Sequence, residues 1–158
     1  MNEIIVKRAF IFSLLLGASI GILSLIPSLI ALSIFVLLPL SAPIVIIYMK
    51  KNEKYISFLD YVQSAILGGF IGFAATLGFF ASFSPLVCVL KLIIKTYYAY
   101  MIPDMLSGAL WLFIIIVLFV AFIFAMVNSV SAMGLTWIYS YFEKKPEDEN
   151  RLDITIED

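Results

Sequence analysis

The run AFIFSLLLGASIGILSLIPSLIALSIFVLLPLSAPIVIIYM, residues 9–49, holds no charged side chain and is interrupted only by prolines at 27, 39 and 43. As a single helix it would measure about 60 Å at ~1.5 Å per residue, twice the ~30 Å hydrocarbon thickness of a bilayer. It must therefore fold back on itself. Proline lacks an N–H donor and disfavours helix in the residue before it, so the turn belongs near Ile26–Ser28. Two more charge-free runs follow, Tyr61–Leu90 and Leu106–Phe142, each longer than the ~20 residues needed to cross hydrocarbon. A lipid bilayer is the solvent these runs require, and the expected fold class is an all-α membrane protein.

Composition agrees. The 158 residues are 63% hydrophobic and 13% charged with a mean hydropathy of +1.11, against about 45–50% apolar and 25% charged in globular chains. No hydrophilic stretch is long enough for a second domain, so residues 1–142 read as one transmembrane domain and 143–158 as a tail. The apolar run continues past the small residues Gly17-Ala18-Ser19 as far as Ile26, which suits a retained helix better than a cleaved signal peptide.

Four transmembrane helices arranged as two hairpins are expected over residues 9–26, 29–49, 60–83 and 107–137. Ser84-Pro85 marks the end of the third. Residues 86–100 are apolar but carry Lys91 and Lys95 one turn apart, and read as a helix lying along the outer interface. Trp111 and Trp137 are 26 residues apart, about 39 Å of helix, which matches the spacing of the two interfacial belts that tryptophan prefers. Lys7, Arg8, Lys50, Lys51, Lys54, Lys144 and Lys145 then share one side, and Lys91 and Lys95 the other. Basic flanks stay inside, so both termini are expected in the cytoplasm of a bacterial-type inner (cell) membrane. A five-span arrangement, with residues 86–100 crossing, would bury two lysines and is disfavoured.

The tail carries seven acidic residues against Lys144, Lys145 and Arg151, a composition that reads as disordered. Its Leu152–Ile156 stretch alternates apolar and polar residues, a pattern able to add as a strand to a partner's sheet edge. Ser13–Gly21 and Ser64–Gly72 are identical at five of nine positions. A duplicated hairpin and the narrow vocabulary of membrane helices both account for that.

Small residues form stripes at spacings of three and four: Ser13, Gly17, Gly21 and Ser24, then Gly68, Gly72 and Thr76, then Ala121, Ala125, Ser129, Ala132 and Thr136. Such faces let helix backbones approach closely. Asn128, with Ser129 beside it, is the most polar group deep in any span and should join helices by hydrogen bonds, with Gln63 as a candidate partner. Pro39 and Pro43 flank Ser41-Ala42 and should kink or open the second span, freeing carbonyls that a gate or cation site would use. Asp60 reads as an interfacial cap on the third span. Lys91 and Lys95 would snorkel to the headgroups and offer an anionic lipid a site.

What is missing narrows the function. There is no histidine and one cysteine, Cys88, so a Ser/His/Asp constellation, an internal disulfide and a thiolate metal cluster are unavailable. The spans hold no ionisable acid or base, where coupled transporters usually keep one. Asp60 and Asp104 fall on opposite sides and cannot share a site. The expectation is a non-enzyme with no metal, no cofactor and no nucleic-acid partner. It would act as an accessory or scaffold subunit, packing against a second copy or another membrane protein. The alternative is a homo-oligomeric transporter or channel for a small solute, lipid or ion, built on the proline-kinked span.

Overall fold

The computed structural model describes residues 3–52, 60–90 and 108–143. Among these the regular structure is all helical: α1 (Glu3–Leu23), a single turn α2 (Ile30–Leu32) widening into a π-helical turn (Ser33–Leu37), α3 (Ser41–Asn52), α4 (Tyr61–Leu90) and α5 (Leu110–Glu143). Three helices are long and apolar enough to cross a membrane. The segments Ile30–Leu37 and Ser41–Lys51, bent by 67° at their junction, would together make a fourth.

α1 stops where proline chemistry says it should, three residues earlier than expected. Leu25 and Ile26 tighten to carbonyls three residues back, at 3.1 and 3.2 Å, and Pro27 then ends the ladder. Residues 29–49, expected as a second span kinked or opened by its prolines, form a bent pair and not one continuous helix. α4 corrects the sequence reading more sharply. It passes through Ser84 and Pro85 to Leu90, so residues 86–90 belong to it and not to a separate interfacial helix; 91–100, with Lys91 and Lys95, lie outside the described residues. Losing the Pro85 donor costs about 3 kcal/mol. Phe83 and Val87, buried against Ile20, Leu38 and the flanking Ile30 and Ile34, gain dispersion contacts of comparable size that hold the extra turn.

Side-chain contacts set the helix directions. Phe10 stacks near Phe70 at 5.6 Å and Ser82 Oγ donates to the Ala18 carbonyl at 3.0 Å, so α1 and α4 run parallel. Tyr61 Oη meets Ser140 Oγ at 3.2 Å while Phe80 faces Phe113, so α5 returns antiparallel to α4. α3 lies antiparallel to α1 through Phe12 and Tyr48 and parallel to α5 through Lys50, whose Nζ sits 3.8 Å over the Tyr139 ring. This up-down-up-down order gathers Arg8, Lys50, Asp60 and Tyr139 at one end of the bundle. α4 is the central element. The aligned stretches Ser13–Gly21 and Ser64–Gly72 do not play equivalent parts: Gly17 and Gly21 face α4, whereas Gly68 and Gly72 face α5.

Candidate functional site

Pro39, Ser41, Pro43 and Asn128, singled out on separate spans, converge at the break between the π turn and α3. Proline at 39 and 43 removes two donors from the ladder. The π turn closes with Leu38 N–H donating to Ser33, five residues back at 2.9 Å, and Ser41 N–H reaches only to Leu38 at 3.2 Å. In an unbroken helix the Ala42 N–H would donate to the Leu38 carbonyl. Here a side chain stands between them. Asn128 Oδ1 accepts from Ala42 N at 2.8 Å, and its Nδ2 donates to the Leu38 carbonyl at 2.9 Å. The carboxamide thus replaces one backbone hydrogen bond with two.

The rest of the amide is used as well. Oδ1 accepts from Ser41 Oγ at 3.1 Å and Nδ2 donates to the Phe124 carbonyl at 2.9 Å. A primary amide has two donors and two principal acceptor directions, and all four are taken on a residue that is fully buried. Each bond contributes about 1 kcal/mol, and leaving a buried partner bare costs about 1–3. Gln63 is not the partner; it is exposed on α4, whose buried face here runs through Ser64, Leu67 and Gly68.

Asn128 reaches α3 only because α4 gets out of its way. A Cβ on Gly72 would lie 2.6 Å from Asn128 Cβ, 2.7 Å from Nδ2 and 2.7 Å from the Phe124 carbonyl. One on Gly68 would strike Ala132 and the Asn128 carbonyl. Ser129 Oγ donates to the Ala65 carbonyl at 2.8 Å, and Ser64 and Thr136 share a hydrogen bond, closing the same seam. On the other flank of α4, Gly17 is pressed against the Ala75 backbone, and a Cβ on Gly21 would sit 2.7 Å from the Phe79 carbonyl.

Sequence reasoning missed Gly78, where a Cβ would strike the Leu14 carbonyl, and Ser82. Both belong to a second small stripe on α4, Ala75, Gly78 and Ser82, at spacings of three and four. That periodicity was available. Asp60 sits apart from the break. Its carbonyl accepts the first helical bond, from Ser64 N–H at 2.9 Å, as at an N-cap, while its carboxylate accepts from the adjacent Tyr61 N–H at 2.8 Å and not from the second or third helical residue. Two buried hydroxyls, Ser33 Oγ and Ser84 Oγ, have no hydrogen-bond partner among the described residues.

The groups assembled at the break are neutral amides, carbonyls and hydroxyls. Among the described residues no group of three or more His, Cys, Asp or Glu side chains is placed to hold a metal. Compared with protein-family models, curated proteins and solved structures, the chain matches none.

Proposed function

We propose that the chain is a four-span membrane protein, the bent pair forming its second span, that serves as an accessory or scaffold subunit through helix packing. The bilayer setting is supported by an inversion. α5 is the most apolar of the long helices and the least buried, with only 6% of its most apolar window inside the fold, against 44% for α4. In water the most apolar helix belongs in the core. In lipid, apolar side chains gain nothing by turning inward, and the inside fills with small and polar residues instead. The placement of Lys7, Arg8, Lys50 and Lys51 at one end favours that end as cytoplasmic, in a bacterial-type inner membrane.

The observation that carries the scaffold reading is the saturated amide of Asn128. It occupies the Ala42 N–H and the Leu38 carbonyl beside the Pro39/Pro43 break, and these two groups then hold α3 on α5 and do not coordinate a solute. The outer face of α5, from Trp111 through Phe119 and Val130 to Trp137, is left for lipid or for another protein.

Purification in mild detergent, with mass determination of everything that co-elutes, tests this. A different protein in stoichiometric amount supports the scaffold reading. A homogeneous homo-oligomer with solute flux in liposomes would replace it with the transporter.

A further inference from the structure

We infer that the cleft between α1 and α3 binds an anionic phospholipid, one acyl chain lying between the helices and the phosphate held by Arg8 and Lys51. This rests on the membrane setting proposed above. The cleft has a volume of about 240 Å³, and Phe12, Leu16, Ser19, Ile44, Val45 and Tyr48 line it. Of its two hydroxyls, Ser19 Oγ donates to the Leu15 carbonyl at 2.9 Å, and the other belongs to Tyr48, in the aromatic pair at one end. The wall is mostly apolar, over about 10 Å of helix from Phe12 to Ser19.

One end is different in kind. Phe12 and Tyr48 meet edge to face, ring centroids 5.0 Å apart, where α1 begins and α3 finishes. Arg8 precedes Phe12 by four residues and Lys51 follows Tyr48 by three, which places each basic residue one turn beyond the aromatic pair on the same helix face. Both are exposed, as is the neighbouring Lys7. Positive charge at the rim with an apolar channel running inward is the complement of an amphiphile that is anionic at its head. Guanidinium binds phosphate oxygens in a paired geometry, and lysine reaches the headgroup layer by snorkelling. Anionic lipids and basic flanks meet at the cytoplasmic leaflet.

The test reconstitutes the full chain in vesicles of equal parts phosphatidylcholine and phosphatidylglycerol, confirms insertion by resistance to alkaline extraction, and counts retained lipid by native mass spectrometry. One phosphatidylglycerol per chain, held in preference to phosphatidylcholine, is the expected result. R8Q/K51Q should weaken that preference about 25-fold, roughly fivefold for each charge removed, while R8K/K51R preserves it. Ser19→Phe fills the cleft and should lower retention with the charges intact; Leu15→Phe, at the same cleft, replaces it if the first variant does not fold. An inserted protein that holds both lipids equally, or an R8Q/K51Q variant as selective as the parent, overturns the site and leaves the membrane reading standing. A chain released by alkaline extraction overturns both.

Discussion

α4 and α5 are both charge-free for thirty residues or more, yet they are read by different rules. α4 buries two flanks, with Gly17, Gly21 and Leu14 of α1 on one and Ala132 and Asn128 of α5 on the other. What defines it is the side chains it lacks: Gly68, Gly72, Ala75 and Gly78 are holes into which neighbouring backbones fit. α5 buries a narrow stripe, Ala121, Asn128 and Ala132, and presents large residues elsewhere. It is defined by one side chain it has. In the bilayer setting proposed above, hydrophobicity would no longer separate inside from outside, and volume and hydrogen bonding would do that work.

The most damaging way to break this contrast is to fill a hole in α4. Gly72→Leu displaces Asn128 from the break as well as forcing α5 away, and should destabilise the fold by more than about 3 kcal/mol. Thermal unfolding in detergent, followed by the reactivity of Cys88, the single thiol in the chain, reports it. A Gly72→Leu variant melting with the parent would mean that α4 and α5 do not meet as described.

Next in size is the amide itself. Asn128→Ala leaves the Ala42 N–H and Leu38 carbonyl facing each other across a gap, an expected loss of about 2 kcal/mol. Asn128→Asp recovers the acceptor but not the donor, and should not rescue the melt. Ser41→Ala sharpens the assignment through a double-mutant cycle. Alone it should cost about 0.5–1 kcal/mol, and in the Asn128→Ala background close to nothing, because its hydroxyl has lost its acceptor. Additive losses would separate Ser41 from Asn128.

The contrast also explains how far the sequence could be read. Helical class follows from the length of the apolar runs, and the stripes through Gly17, Gly21, Gly68 and Gly72 mark contact faces because glycine at helical spacing has few other uses in a span. The break at Pro39 and Pro43 is legible for the same local reason: proline acts on its own ladder. Which groups repair that break is not a local property. Asn128 lies 86 residues from Ala42, and Gln63, the candidate partner the sequence offers, is turned outward by the rotation of α4. The end of α4 eluded reading because Pro85 is a local stop signal overruled by distant packing of Phe83 and Val87. Pro27, with Ile26 and Ser28 exposed on either side of it, did stop its helix.

Replacing the prolines is a smaller perturbation than filling holes. Pro39→Ala and Pro43→Ala each restore a donor without removing an Asn128 bond, so each should shift stability by no more than about 1 kcal/mol in either direction. Loss of solute flux with unchanged melting would move the chain into the transporter class, and a scaffold should lose neither property.

The smallest effect on the fold is expected on the far side of α5, and it asks the most of the functional reading. A Cβ on Gly134 meets nothing within 4 Å, and glycine in a helix interior costs about 0.8–1 kcal/mol relative to alanine. Gly134→Leu should therefore leave the melting of the isolated chain unchanged or raise it slightly. On a lipid-facing surface a leucine is as good as any residue, and nothing else should change. On a face that meets another subunit, the same leucine props the helices apart by the width of a side chain, and co-purification of the partner should fall while the chain itself stays folded. A glycine with open space around it inside the most apolar helix of the molecule is a hole like those of α4 with no neighbour yet in it. Retention of the partner by Gly134→Leu would assign that part of α5 to lipid and move the search for the partner to another face.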